Sequence, residues 1–225
     1  MGEPRGIAMS TVNHAADVNS WDAGPVSIAP PRMSEDQFEA WILASEGLHA
    51  EWVNGVVHMM PPVSLEHTDI NGWLIRLMGD FIEGKNLGGM VAFDYMIRLC
   101  GGKTRRVPDI IYVAAARRSL MQRTYLEGPP DLAVEIVSHD SQSRDWREKY
   151  LEYEVSGVRE YWIVDPFSQR TEANALGADG KYARIGEVDG KLPSTVLPGF
   201  YLRNEWLWSN PRPTVRSLLA ELGIV

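Results

Sequence analysis

Three segments of the chain place apolar residues at the spacing of an amphipathic helix. The first begins after Ser34, a predicted N-cap, and ends at Gly47. The second is SLEHTDINGWLIRLMGDFIEGKN, whose apolar stripe consists of Ile70, Leu74, Leu77, Met78 and Phe81. The third is SRDWREKYLEYEVSG, which runs from a cap at Ser143 to Gly157. Its buried face is predicted to carry Tyr150, Leu151 and Val155.

The remaining apolar runs are typical of β-strands. Strands are predicted near 49–53, 56–60, 90–99, 107–114, 131–138 and 159–165, with weaker strands over 169–210 and a last short helix near 214–222. Asn54-Gly55 separates the first two strands and predicts a tight hairpin. The segment CGGKTRR is typical of a turn. Because a helix connects the last two strong strands, these strands should pair in parallel.

Residues 1–32 show neither the helical nor the strand spacing of apolar residues. They are rich in Gly, Pro, Ser, Asn and Ala, and we predict a mobile N-terminal arm there, followed by a single domain over 33–225. The alternation of helices and strands makes this domain α/β, with a mixed β-sheet flanked by helices and with an N-terminal helix and β-hairpin.

Composition is ordinary for a globular protein, with 44% apolar and 23% charged residues. Cys100 is the only cysteine, which excludes an intramolecular disulfide and any multi-cysteine metal site. No apolar run approaches the length of a membrane span, and no basic segment followed by an apolar core marks a secretory signal. We therefore expect a cytoplasmic protein with no membrane contact.

The charge of the chain is acidic overall but uneven. The formal net charge of −8 argues against a surface coated with basic residues for nucleic acid. The stretch from Arg98 to Arg123, however, holds seven basic residues and a single acid, Asp109. This stretch either forms a solvated face or attracts phosphate locally.

Two carboxylates interrupt apolar strands. Asp109 follows Pro108 at the front of VPDIIYV, and Glu135 lies inside DLAVEIVS. A carboxylate in an apolar layer is costly unless it is paired. Two of them in neighbouring strands resist joint ionisation unless a cation lies between them, and such oxygen ligands suit Mg²⁺ or Mn²⁺. The alternative is that each carboxylate caps a turn or pairs with an arginine.

Two further side chains are candidates for the same site. Glu51 lies on the first hairpin strand, and Lys149 lies on the helix that follows the Glu135 strand. A lysine near a metal and two carboxylates can orient a water and stabilise negative charge on a phosphate. The alternative for Lys149 is a surface pair with Asp145, four residues earlier, and the alternative for Glu51 is an exposed strand residue.

Pro108-Asp109, followed by an acid in an apolar strand, resembles the PD-(D/E)xK nuclease superfamily. The segments EWVNGVVHMMPPVSLEH, VPDIIYV and PPDLAVEIVSHDSQSRDWREKYLEYEVSGVREYWIVDP are similar to one of its branches, the Uma-two family of restriction-endonuclease-like proteins. The likeness covers about residues 34–175. Its most specific part is Y…GV.EYW.VDP after VEI.S.

The resemblance implies a restriction-endonuclease-like mixed sheet and Mg²⁺- or Mn²⁺-dependent hydrolysis of phosphodiester bonds in DNA. It implies that Asp109 and Glu135 bind the metal and that Lys149 and Glu51 complete the catalytic set. The superfamily's lysine should lie two residues after Glu135, where this chain has a valine, so the resemblance assigns its role to Lys149. His67 matches a family position, where it either supports the site or simply begins a helix. Nucleases of this fold often pair to cut both strands, so a homodimer is expected.

Two other functions stay open. A catalytically decayed scaffold that binds nucleic acid or protein is favoured by the valine at position 137 and by the net acidity. The intact Asp109, Glu135 and Lys149 argue against it. A small-molecule phosphoesterase would suit the acidic surface.

Overall fold

The computed structural model describes residues 31–45, 48–138 and 145–224. Its helices are α1 (Glu35–Ala44), α2 (Leu65–Gly84), α3 (Asp145–Ser156), α4 (Asn204–Trp208) and α5 (Val215–Glu221). Its strands are β1 (Ala50–Val53), β2 (Val56–Met59), β3 (Met90–Ala92), β4 (Met96–Leu99), β5 (Thr104–Arg106), β6 (Ile110–Val113), β7 (Tyr125–Glu127), β8 (Leu132–Ile136), β9 (Glu160–Asp165), β10 (Arg170–Leu176), β11 (Tyr182–Arg184), β12 (Leu192–Pro193) and β13 (Tyr201–Leu202). A 3₁₀ helix, Ala115–Leu120, lies between β6 and β7.

These strands form two larger sheets and a small one. The first has the order β11-β10-β9-β8-β6-β3, and the second has the order β2-β1-β5-β4-β7, while β12 pairs with β13. Both larger sheets are mixed, because β8 pairs in parallel with β9 and β4 pairs in parallel with β7. The mixed sheets and flanking helices confirm the predicted α/β class. The parallel pairing of β8 with β9 confirms the predicted crossover unit.

Local sequence explains how the first elements begin. Ser34 and Gln37 form a capping box at the start of α1. Asn54 and Gly55 have φ angles of +48° and +86°, the left-handed values that a tight hairpin between β1 and β2 requires. The end of the predicted arm runs along β2, where the Val57 N–H donates to the Pro31 carbonyl at 2.9 Å. Residues 1–30 lie outside the described residues, so a mobile arm stays a prediction.

Hydrophobic side chains cover both faces of the six-stranded sheet. On one face, α2 and α5 pack on a core that includes Ile110, Val134 and Trp162. The other core is formed by α3 and the second sheet, and it includes Tyr153 and Tyr161. β6 and β8 are therefore buried on both sides, and nearly continuous apolar sequences such as theirs are typical of strands in this position.

Three stretches differ from the prediction. Residues 204–208, within the weak strands predicted over 169–210, form α4. The predicted strand at 90–99 is two strands, β3 and β4, which belong to different sheets and are separated by a turn with Asp94 at φ +51°. The predicted turn CGGKTRR contains a buried strand, β5. Arg105 and Arg106 of this strand are buried because carboxylates from other elements pair with them. A polar pattern does not reveal burial of that kind.

Candidate active site

Asp109 and Glu135 occupy facing positions at one end of the β6–β8 pair. The two strands are antiparallel, with Ile110 opposite Val134. Asp109 precedes Ile110 and Glu135 follows Val134, so the same register puts the two carboxylates on one side of the sheet. The Ile136 N–H donates to Asp109 Oδ2 at 2.6 Å and joins the two strand ends.

Glu135 is buried, and α3 supplies a donor to each of its oxygens. Lys149 Nζ donates to Oε2 at 2.9 Å, and the Tyr153 hydroxyl donates to Oε1 at 2.6 Å. Burial raises the pKa of Glu135 to about 7; Lys149 opposes this rise, and the negative charges of Asp109 and Glu51 add to it. The protein alone therefore does not fully compensate the ionised carboxylate.

Lys149 approaches Glu135 from the inward side of α3. Its side chain is 14% exposed, and Nζ also lies 3.5 Å from Glu51 Oε1. Burial by itself would lower the pKa of the ammonium, but the charges of Glu135 and Glu51 outweigh burial and raise it. Lys149 is thus charged at neutral pH. The side chain of Asp145, its alternative partner, lies outside the described residues.

The buried face of α3 differs from the prediction. Leu151 and Val155 are 51% and 74% exposed, so the prediction was wrong for these two residues. Tyr150 is half-buried against the core, and Tyr153 is fully buried. The inward face carries Lys149 and Tyr153, one helical turn apart, because both bond to Glu135. The predicted cap of this helix, Ser143, lies outside the described residues.

Glu51 lies on β1 of the other sheet and still reaches the same cluster. Its Oε2 accepts from Arg106 Nη1 at 2.7 Å, and its Oε1 accepts from the Val107 N–H at 3.1 Å. Burial would raise the pKa of Glu51, but Lys149 and Arg106 together hold it below its usual value. With its side chain 8% exposed, Glu51 is not the exposed strand residue of the alternative interpretation.

His67 is placed against the Asp109 carboxylate. It lies in the first turn of α2, where the Ser64 hydroxyl caps the helix by accepting from the His67 N–H at 3.1 Å. Its Nε2 lies 3.0 Å from Asp109 Oδ1, and its side chain is 6% exposed. Of the two interpretations of His67, this contact favours support of the site.

The basic stretch is largely neutralised within the protein. Arg98 and Arg105 both pair with Glu35, and Arg106 pairs with Glu152 as well as with Glu51. Arg117 pairs with the buried Asp131. Most of the charge that the sequence concentrates in this stretch therefore stabilises contacts between elements and is not available as a continuous phosphate-binding surface.

Comparison with known proteins supplies the family. A family model described as a putative restriction endonuclease, Uma2, matches residues 35–205. The chain belongs to the Uma2 family. Among solved structures, a putative nuclease belonging to DUF820 from Anabaena variabilis ATCC 29413 is similar, with a TM-score of 0.64 and 17% sequence identity over 78% of this chain and 97% of that one. This likeness shows a shared fold, and no curated protein matches significantly.

Sequence reasoning missed two members of this cluster. Tyr153 bonds to Glu135, and Arg106 holds Glu51 and Glu152 together. The spacing of Lys149 and Tyr153 on α3 is a signal for the first, since residues four apart share a helix face. The partners of Arg106 come from distant elements, so the sequence contains no comparable signal.

The side chains around Asp109 fit a divalent cation by charge and by donor type. Three carboxylates (Glu135, Glu51 and Glu152) pair with two cations (Lys149 and Arg106), and Asp109 lies near Glu135 and against His67. These groups carry an excess of two negative charges when the four carboxylates are ionised and His67 is neutral. Within the described residues, no three His, Cys, Asp or Glu side chains converge as a metal site. Two carboxylates with water suit Mg²⁺, which keeps several waters in protein sites.

A cleft of about 600 Å³ opens beside Asp109. Its lining includes Pro108 and Asp109 before β6, together with His67, Thr68 and Asn71 on α2.

Among the described residues, no helix combines the length and apolar character that crossing a bilayer requires.

Proposed function

We propose that this chain is a metal-dependent endonuclease that hydrolyses phosphodiester bonds in DNA. The observation that carries the proposal is the 2.9 Å contact between Lys149 Nζ and Glu135 Oε2, beside a second carboxylate that shares the same sheet face. An ion pair that only stabilises the fold requires one carboxylate for each ammonium group. The excess of negative charge and the raised pKa of Glu135 are instead features of a site that receives a cation.

In this proposal Asp109 and Glu135 hold Mg²⁺ or Mn²⁺. The bound ion supplies activation of a water and relief of charge at the scissile phosphate. Lys149, whose ammonium stays charged, orients the attacking water or neutralises a phosphate oxygen. The residues around them are positioning residues, because Tyr153 holds Glu135, His67 holds Asp109, and Glu51 holds Lys149.

The family description supports DNA as the substrate class and the hydrolysis of phosphodiester bonds as the reaction.

The proposal includes a homodimer, because one site cuts one strand and a DNA duplex has two strands. Light scattering after size-exclusion chromatography measures the mass, and a monomer with and without DNA contradicts this part. The proposal also includes a cytoplasmic location, with which the free thiol of Cys100 agrees.

Cleavage of supercoiled plasmid DNA with added Mg²⁺ or Mn²⁺ tests the proposal. The wild-type chain should nick or linearise the plasmid, and Asp109→Asn should abolish this because it removes a metal-binding charge. Asp80→Asn is the matched control, since Asp80 is an exposed carboxylate on α2 away from the site. If the wild type cuts no better than Asp109→Asn with either metal, the decayed scaffold becomes the better interpretation.

A further inference from the structure

The residues assigned so far include no proton donor for the oxygen that leaves phosphorus. Hydrolysis of a DNA phosphodiester releases a sugar hydroxyl, so the leaving oxygen must gain a proton. Lys149, which is proposed to orient the attacking water, contacts Glu135 on β8. In an in-line displacement the leaving oxygen departs on the opposite side of phosphorus from the attacking water. A donor for it should therefore lie on the far side of Asp109 from Glu135.

The strand register puts the turn after β3 on that far side. β6 lies between β8 and β3 in the six-stranded sheet. β3 and β6 are antiparallel, with Ala92 opposite Ile111. Asp94 comes two residues after Ala92, and Asp109 comes two residues before Ile111, so both lie at the same end of the sheet. Glu135 on β8 and Asp94 after β3 thus flank Asp109 from opposite sides.

Asp94 holds a histidine at the cleft beside Asp109. His49 precedes β1 of the other sheet, and its Nδ1 lies 3.0 Å from Asp94 Oδ1. Because an ionised carboxylate only accepts, Nδ1 donates in this contact, and the other ring nitrogen, Nε2, is left to carry a proton of its own. His49, Asp94 and Asp109 all line the cleft of about 600 Å³. A carboxylate that holds one imidazole nitrogen in this way orients the other for proton transfer.

Accessibility and chemistry single out His49 among the groups that line the cleft. Its side chain is 52% exposed, whereas that of His67 is 6% exposed and faces Asp109. None of the described residues that line the cleft is Lys, Arg, Tyr or Cys. The two acidic side chains of the lining, Asp94 and Asp109, act as acceptors toward these histidines. An accessible donor for a leaving oxygen is therefore supplied by His49.

We propose that His49, oriented by Asp94, is a further catalytic residue of this site, whose Nε2–H donates the proton that the leaving oxygen requires. The inference rests on the proposed function. One bond forms between phosphorus and the oxygen of water, and the bond between phosphorus and the leaving sugar oxygen breaks. The leaving oxygen takes the Nε2 proton of the imidazolium. The neutral imidazole is protonated again from solvent, which receives the proton that the attacking water releases.

Substrates that differ only in the acidity of the leaving group test the inference. The 4-nitrophenyl ester of thymidine 5′-phosphate releases an acidic phenol that leaves without a proton, whereas the phenyl ester releases a more basic phenolate that requires one. His49→Ala should hydrolyse the first ester with a kcat within about twofold of the wild type, and the second about tenfold or more slowly. Plasmid DNA, which releases an alkoxide, should be cleaved about 100-fold more slowly. An equal loss on both esters and on DNA, or no loss on any of them, overturns the inference.

Asp94→Asn and His58→Ala are the matched variants. Asp94→Asn keeps the shape of the side chain and removes the orienting charge, so its loss of kcat should also be larger for the phenyl ester than for the 4-nitrophenyl ester. His58 is exposed on β2, and its replacement should change neither ester. Calorimetry should give Mn²⁺ affinities within about twofold of the wild type for all three variants, because none removes a metal-binding carboxylate. A His49→Ala variant that loses as much Mn²⁺ affinity as Asp109→Asn overturns the inference.

The same assays separate this inference from the proposed function. If the wild type hydrolyses both esters and DNA with Mn²⁺ while His49→Ala loses the same factor on each, the inference fails and the proposed function stands. If the wild type hydrolyses neither the esters nor DNA, the proposed function fails and the inference fails with it. A loss that grows with the basicity of the leaving group supports both.

Discussion

Lys149 Nζ lies 2.9 Å from Glu135 Oε2, although the two residues are 14 positions apart and belong to a helix and a strand. The residue two positions after the glutamate, just beyond β8, is a valine, and the lysine is supplied by the helix of the crossover unit. The same ammonium approaches Glu51 at 3.5 Å. One buried cation therefore compensates carboxylates from two different sheets.

Lys149→Met removes the charge and keeps the apolar stem. We expect DNA cleavage to fall by about 100-fold or more, because the water or phosphate loses its cationic partner. The free energy of unfolding should also fall by about 3 kcal/mol, since Glu51 and Glu135 lose the cation between them. Plasmid nicking and thermal denaturation measure the two effects. An exposed lysine at the site rim would have left the stability unchanged.

The matched control for this variant is Lys181→Met. Lys181 also pairs with a glutamate, Glu154, but its side chain is 68% exposed, so cleavage and stability should stay near those of the wild type. If Lys149→Met cleaves as well as Lys181→Met does, Lys149 is not part of the catalytic machinery.

Glu51→Gln should separate positioning from metal binding. Both oxygens of Glu51 accept hydrogen bonds from Arg106 and the Val107 N–H, so the substitution should leave Mn²⁺ affinity within about twofold of the wild type. It should lower kcat by about tenfold or more because Lys149 loses one of its two anchors. Calorimetric titration and steady-state kinetics measure these quantities. A loss of Mn²⁺ affinity equal to that of Asp109→Asn would make Glu51 a metal ligand.

Metal affinity should depend on pH through Glu135. The pKa of this carboxyl is raised to about 7. Only the ionised carboxylate binds a cation, so protons compete with the metal below that pH. Mn²⁺ affinity should therefore fall by about tenfold per pH unit below about pH 7 and level off above it. Titration calorimetry in buffers of different ionisation enthalpy measures the protons released.

Tyr153→Phe tests the cause of this pH dependence. The hydroxyl donates to Glu135 Oε1 at 2.6 Å and lowers the pKa of Glu135. Its removal should raise that pKa and shift the whole affinity profile to higher pH without changing its shape. A Tyr153→Phe profile that coincides with the wild type assigns the titration to another group. A wild-type profile that is flat across the range contradicts a titrating metal ligand.

His67→Ala should weaken the metal site through Asp109. The imidazole Nε2 lies 3.0 Å from Asp109 Oδ1, and loss of such an orienting partner typically costs about 10–100-fold in metal affinity. His58→Ala is the control, because His58 is exposed on β2. Mn²⁺ affinity is measured for both variants, with thermal denaturation to verify folding. Equal Mn²⁺ affinities of the two variants would show that His67 only begins the helix and does not support the metal site.

Much of the fold was predictable from local pattern. The capping Ser34, the Asn54-Gly55 turn and the apolar stripe of α2 are signals that neighbouring residues produce by themselves, and each is present as predicted. The order strand, helix, strand also implied the parallel pairing of β8 with β9. Asp109 and Glu135 were recognisable because a carboxylate in an apolar strand is rare without a partner.

The sequence by itself thus determined the periodic elements, the α/β class and the two strand carboxylates. Only the tertiary structure decided which charged residues are buried. β5, the arginine pairs and the polar inward face of α3 depend on partners that are distant in sequence, such as Glu35 for Arg105 and Glu135 for Lys149. A charged side chain is buried at an acceptable cost only when an opposite charge or hydrogen-bond donors compensate it, and a local pattern contains no information about those partners.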